Sequence, residues 1–458
     1  MSTAPMAKGT AMSSRPTPAL PWWGLLALST AAFTAVLTEL LPAGLLPRMA
    51  PALGVSEGRV GFLVTGYALA SFLAAIPLTA ALRGQPRRRV LIGTLVGFAC
   101  CNAVTALSTS YALTFTVRLT AGVMGGTLWA MLVGYAARMV PAERRGRAIA
   151  VVLAGITLAL SLGVPAGSAL AEALGWRAAF AVPAVLAALL VVWVRWQVPD
   201  FPGEAAGTHV PLRRVAGLPG IVPILSVTLL LLLGHQAIYT YVAPFAEHVG
   251  FGHTGLVLLV FGLATVVGIW IVGVLVDAHL RRTLLTSLAV IAGAMLALGL
   301  AARSPAVLLV AVALWGAAFG GAPTLIQTAL VDASGPAHAD VATSLQTTVY
   351  NTGIAAGSFT GGLVLEDAGA SALPWTAFPL VAGALVVVVV GRRMAFPVRR
   401  RAGDARLVDG RAVDGRGVDG RGAGGRPVGG RSKASVVSCV CDTAAAASRE
   451  STAMRPSQ

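Results

Sequence analysis

The chain is poor in charge. Only 11% of its 458 residues are Asp, Glu, Lys or Arg, whereas a soluble domain carries about a quarter. Lysine is nearly missing, with Lys8 and Lys433 alone among 34 basic residues. Of the four cysteines, Cys100 and Cys101 fall inside an apolar run as small packing residues. Cys439 and Cys441 form a lone C-x-C in a polar tail, a weak metal signal. There is no G-x-x-x-x-G-K-[ST] loop to hold nucleotide phosphates. No His/Cys/carboxylate cluster has metal spacing, and no nucleophile–base pair stands out. These absences argue against a water-soluble enzyme and against an ATP-driven machine within this chain. The expectation is a protein without catalytic activity, cofactor or metal.

What is present is apolar: 56% of residues are AVILMFWYC and the mean hydropathy is +0.79, values of a polytopic membrane protein. The net charge of +16 is not a nucleic-acid footprint. Half of the excess falls after Gly391, and most of the rest falls in short loops between apolar runs, where arginine sets membrane orientation. At about 20 residues per crossing, twelve spans are expected: 22–47, 60–82, 90–109, 112–138, 147–170, 178–197, 221–246, 255–277, 283–301, 306–331, 341–365 and 373–391. The run beginning at Trp22 is too long for a signal peptide and reads as an uncleaved first span.

Arginines concentrate in alternate connections, at Arg83 and Arg87–Arg89, at Arg138, Arg144, Arg145 and Arg147, at Arg213 and Arg214, and at Arg281 and Arg282. The positive-inside rule then puts both termini in the cytoplasm. The proline-rich connection 198–220 divides the spans six and six. The expected organisation is a cytoplasmic segment 1–21, a six-helix bundle 22–197, a linker 198–220, a second bundle 221–391 and a tail 392–458. Two loops carry a repeat. Arg87-Arg88 corresponds to Arg281-Arg282 (281 − 87 = 194) and Pro141-Ala142 to Pro336-Ala337 (336 − 141 = 195). The fold class is thus all-α membrane protein, twelve helices in two pseudo-symmetric bundles. The tail, with its VDGRA-VDGRG-VDGRG repeat, cannot bury apolar surface and reads as disordered.

Several stretches carry a family resemblance. They are TELLPAGLLP from Thr38 to Pro47, RLTAGVMGG from Arg118 to Gly126, PAERRGR from Pro141 to Arg147, GVPAG from Gly163 to Gly167, and GVLVDAHLRR from Gly273 to Arg282. Together they make residues 22–391 resemble the major facilitator superfamily, in particular its twelve-span drug:proton antiporters and the sugar-efflux and chloramphenicol-exporter-like proteins. The resemblance implies that Gly273, Asp277, Arg281 and Arg282 form a gating motif in which Asp277 pairs with Arg281 or caps a neighbouring helix; the alternative is that the arginines only anchor topology. In the first copy, Arg83 stands where Asp277 stands and Thr79 where Gly273 stands, so that half lacks the acid. Gly155, Gly163, Pro165 and Gly167 resemble an antiporter motif, with Ala159 where a further glycine would fit; a plain packing face is the alternative.

Ionisable groups inside the bilayer are expensive and point to a function or a partner. Glu39 and Arg118 reach similar depth on antiparallel spans, and the resemblance puts both spans on a central cavity. Glu39 is then the proton-exchanging carboxylate and Arg118 tunes it, desolvation opposing the charged form and the guanidinium favouring it. A static ion pair is the alternative. Trp129, His235, Gln236, Tyr239 and Asn351 are candidates for the substrate cavity, with packing, or a hydrogen-bonded structural histidine, as the plainer readings. The function expected is proton-driven export of a small organic molecule by alternating access. An importer or passive facilitator is the rival within transport, and a non-transporting membrane sensor the rival outside it. The expected partners are the lipid bilayer, a small-molecule substrate and protons, with no nucleic acid. The protein is expected as a monomer in a bacterial plasma membrane.

Overall fold

The computed structural model describes residues 20–82, 84–141, 144–202, 215–335 and 338–391, and every regular element among them is helical. Apolar chain inside a bilayer has no water to satisfy its backbone, so it forms helices. They run as α1 (Trp22–Leu40), α2 (Leu46–Leu53), α3 (Glu57–Ala81), α4 (Arg87–Leu107), α5 (Tyr111–Arg138), α6 (Arg145–Leu158), α7 (Val164–Leu174), α8 (Trp176–Gln197), α9 (Ile221–Tyr239) and α10 (Val242–His248). Then come α11 (Thr254–Val276), α12 (His279–Ala301), α13 (Pro305–Ser334), α14 (Ala339–Ala368) and α15 (Leu373–Val390). Among the described residues, 10 helices are long and apolar enough to cross a membrane. The remaining expected stretches, 60–82 and 341–365, are occupied by α3 and α14, of 25 and 30 residues. Because the helices alternate in direction, the start of α1 and the ends of α8 and α15 share one face, here the terminus face; α2 and α10 lie at the opposite, far face.

Several expected spans are interrupted. The first, read as continuous over 22–47, stops at Leu40 and passes through a 3₁₀ turn, Leu41–Gly44, into α2, because Pro42 cannot donate to the helical ladder. Its counterpart stops at Tyr239 and resumes at Val242. Both far-face ends close on left-handed glycines, Gly54 (φ 64°) and Gly250 (φ 83°). The fifth span widens into a π turn, Ala159–Gly163, between α6 and α7. Pro165 lacks the N–H that Ser161 would otherwise receive, and such widenings are often functional. α11 and α12 join through a kink at His279, φ −139° and ψ 32°.

The repeat shows in the packing. Gly122 and Gly126 of α5 let it approach the Tyr67 and Ser71 carbonyls of α3; Gly316 and Gly320 of α13 meet the Phe261 and Thr265 carbonyls of α11 in the same way. Each residue of the first set lies 194 positions before its partner in the second (316 − 122 = 194). A Cβ at any of the four would strike a backbone carbonyl, so only glycine permits the approach.

The two halves of the chain meet through α3 with α14, and through the π turn and α7 with α11. At the far face Ser56 donates to the Glu366 carboxylate, and Phe62 stacks on Phe359 with centroids 5.3 Å apart. The Tyr241 ring fills the space left by Gly61 and Gly362. One apolar core runs through both halves there, joining Leu41, Leu45 and Met49 to Val242, Phe245 and Leu258. A second lies wholly within residues 20–201.

One arginine of each loop pair binds within its own half. Arg281 donates from Nη2 to the Val389 carbonyl near the end of α15, 3.5 Å, and Arg88 donates from Nη1 to Val198 just past α8, 3.4 Å. Both guanidinium groups serve the negative end of a helix. Arg282 is exposed and Gly273 half-buried in α11. The Asp277 and Thr79 side chains, Arg83, Pro336, Ala337, residues 1–19 and the tail lie outside the described residues.

Candidate functional site

The break in α1 creates the polar centre of the N-terminal half. In a continuous helix the Thr38 carbonyl would accept from residue 42, and in the 3₁₀ turn that follows the Glu39 carbonyl would do so. Residue 42 is proline, so both carbonyls are left open. Arg118 of α5 supplies the missing donors. Its Nη1 binds the Thr38 carbonyl, its Nη2 binds the Glu39 carbonyl at 2.9 Å, and its Nε reaches the Leu63 carbonyl of α3 at 3.4 Å. Arg118 is 1% exposed, and its guanidinium carbon lies 4.9 Å from the Tyr67 ring centroid. Asn102 of α4 completes the pin by donating to Thr38 Oγ1 and to the Phe98 carbonyl, both at 2.9 Å.

The structure thus brings Glu39 and Arg118 together through the Glu39 backbone. Among the described residues no carboxylate–guanidinium ion pair joins the two side chains. The fork geometry of arginine, which can serve several acceptors at once, is spent on main chain. The Glu39 side chain is buried at 9% exposure, within electrostatic reach of Arg118, Tyr67 and Tyr350 of α14. Tyr350 brings the C-terminal half to this centre.

The corresponding position of the C-terminal half holds no such centre. His235 of α9 lies in a box of rings: Phe319 stacked at 3.6 Å, Tyr239 at 5.1 Å, Trp315 at 5.2 Å and Phe261 at 5.8 Å. Trp315 Nε1 donates to His235 Nδ1 at 3.1 Å, which makes Nδ1 an acceptor and leaves the proton of a neutral ring on Nε2. The geometry is that of a hydrogen-bonded structural histidine, and Tyr239 belongs to the same box. Gln236 is buried with its Nε2 unpartnered and lies against Gly357 of α14. Asn351 donates to its own helix at the Thr347 carbonyl, 3.0 Å. Trp129 packs half-buried on the core of the N-terminal half. Trp129, His235 and Glu39 therefore occupy separate environments.

The antiporter-like glycines face α1. Gly155 meets the Ser29 carbonyl, Gly163 the Phe33 ring, which a Cβ there would approach to 2.9 Å, and Gly167 the Leu41 side chain. On the other side of the same span, a Cβ on Gly262 of α11 would stand 2.5 Å from Ser161 Cα and 2.6 Å from the Leu160 carbonyl, in the π turn. That span is wedged between α1 and the opposite half. Sequence reasoning missed Asn102, Tyr67, Trp315, Phe319 and Gly262. Pro42, three residues after Glu39, was the available sign of the helix break.

Membrane-crossing helices repeated in two halves, with a buried charged centre at the break of one of them, are the build of a multi-pass membrane transporter. Comparison with known proteins gives the family. The sequence matches the Major Facilitator Superfamily over residues 28–358 and again over 224–410. It is 34% identical over 372 residues to the chloramphenicol resistance protein of Streptomyces lividans, covering 79% of this chain and 92% of that one. It is 28% identical over 355 residues to the purine ribonucleoside efflux pump NepI of Escherichia coli (strain K12), covering 76% and 88%. Among solved structures, a bacterial homolog of the human lysosomal transporter Spinster, inward-facing and occupied, superposes with a TM-score of 0.64 at 16% identity, covering 85% of this chain and 100% of the other. The chain belongs to the Major Facilitator Superfamily and is a membrane transporter similar to efflux proteins.

Proposed function

We propose that the protein exports a small neutral or amphipathic organic molecule in exchange for protons, with Glu39 as the exchanging carboxylate. The observation that carries this reading is one buried acid at a helix break, held in place by Arg118 through the backbone of that break. Because the guanidinium is occupied by carbonyls, the carboxylate is free to take up and release a proton without unpinning α1. Burial disfavours its charged form and the nearby cation favours it, so a change in access to water shifts the balance. Two bundles, 22–197 and 221–391, rock about this centre, and the far-face contacts of α3 with α14 fit the side that is closed while the terminus face is open. Arginine placement supports a cytoplasmic terminus face and an inner-membrane location. The protein works without catalysis, nucleic acid or metal, and as a monomer.

The names of the relatives suggest chloramphenicol and purine ribonucleosides as first substrates. Efflux is measured in cells or vesicles carrying wild type, Glu39→Asp and Glu39→Gln. A protonophore should raise accumulation in wild-type cells. Glu39→Gln should abolish pumping against a gradient, and Glu39→Asp should retain part of it. Wild-type proton-coupled efflux in Glu39→Gln would refute the assignment.

A further inference from the structure

We infer that the terminus face of the N-terminal half carries a binding site for an anionic phospholipid, built where the starts of α1 and α6 meet the end of α8. The meeting is direct. A Cβ added at Gly24 of α1 would stand 3.0 Å from the Gln197 carbonyl of α8. The Arg147 guanidinium of α6 lies 5.6 Å from the Trp22 ring centroid, and Trp23 lies 6.5 Å from Trp193 of α8. Trp196, one turn beyond Trp193, completes a group of indoles in which Trp23 is 66% and Trp196 77% exposed.

Such exposure of large rings on membrane-crossing helices puts them in lipid, and at helix ends it puts them at headgroup depth. The same place is cationic. Arg147, against Trp22, has an enclosed Nε without a partner. Arg145 and Arg195 are exposed at the same two helix ends, about half a turn around from Arg147 and Trp193, and add positive charge at this depth. Among the described residues no carboxylate pairs with these three arginines, and Asp200, the acid just past α8, is engaged with Arg88 at 3.1 and 3.9 Å. A phosphodiester supplies the missing anion, since guanidinium groups bind phosphate oxygens in a fork, while glycerol and acyl chain cover the indoles. A zwitterionic lipid carries its own cation and compensates the site poorly. The net negative headgroup is therefore the occupant that charge complementarity selects.

The test uses the full chain in nanodiscs of phosphatidylcholine doped with phosphatidylglycerol or phosphatidylcholine brominated near the headgroup end of its acyl chains. Tryptophan quenching is followed against the doped fraction. Quenching by the brominated phosphatidylglycerol should reach half-saturation at a lower fraction than by the zwitterionic analogue, by about fivefold for each arginine engaged. Trp23→Phe/Trp196→Phe should remove the lipid-selective component. Arg147→Gln should bring the two curves together. Because Arg147 is partly enclosed, Arg145→Gln/Arg195→Gln, which changes exposed residues only, should independently narrow the gap. Coincident curves in the wild type, or an unchanged gap in the Arg145/Arg195 variant, would overturn the site.

Discussion

At the scale of single residues, the centre at Glu39 depends on main-chain carbonyls that proline leaves open. Arg118→Lys replaces a planar fork by a point donor on a flexible stem, which cannot reach α1 and α3 together. At least one buried carbonyl is then unsatisfied, at a cost of about 1–3 kcal/mol. The expected outcome is a lower melting temperature of the purified protein, with Asn102→Leu falling in the same direction. In the other half, Trp315→Phe leaves His235 Nδ1 without its donor at similar cost, and the same melting experiment reads it. The identity of the charged residues, Glu39 and Arg118, was legible in the sequence because few acids or bases interrupt the apolar runs. Their mode of contact was not. Depth along two helices says nothing about whether a guanidinium meets a side chain or a backbone, and the ring box around His235 is assembled from α9, α11 and α13, which are distant in sequence.

At the scale of elements, the contact between the π turn and α11 joins the halves with no side chain between them. Gly262→Val would drive its branches into the backbone at Leu160 and Ser161, where the bare Cβ position is already 2.5 Å from Ser161 Cα. Overpacking of this kind costs about 1–3 kcal/mol, and transport should fall more steeply than folded yield. Comparing efflux with the amount of monodisperse protein checks it. Gly155→Val, on the face toward α1, should fail in the same way. The glycine spacing of this span was visible in the sequence, and the structure turns Gly155, Gly163 and Gly167 toward Ser29, Phe33 and Leu41. Gly262 stood in an unremarked apolar run, since small residues in a span reveal close approach without naming the neighbour.

At the scale of the whole molecule, the far-face seal ties α3 to α14. Ser56→Ala with Glu366→Gln removes its hydrogen bond and should shift the population toward opening of that face, read as faster labelling of single cysteines placed there. Glu57, at the start of α3, adds a pH term. Burial, and then the nearby Glu247 carboxylate, push its carboxyl above the ordinary value of 4.5. The closed form therefore holds the proton more tightly than a form in which Glu57 is hydrated. Closure from this group is complete at acid pH and weakens as pH rises from the ordinary carboxylate range through the raised value. Cysteine labelling across that range should show the trend, and Glu57→Gln should flatten it. The two-half plan was read from the apolar runs, from loop arginines, which are costly inside a bilayer, and from the proline-rich connection 198–220 between them. The seal was not, since its members stand 310 positions apart.

The unequal interiors of the two halves carry an electrical consequence. In the proposed exchange, Glu39 is the one carboxylate at this centre among the described residues and the ring-walled His235, whose Nδ1 accepts from Trp315, stands in the matching place of the other half, so one cycle would move one proton. Export of an uncharged compound against one proton would then carry net current inward. The membrane voltage then adds about 2.3 kcal/mol per 100 mV to each turnover, so the pump should keep running on potential alone after the pH difference has vanished.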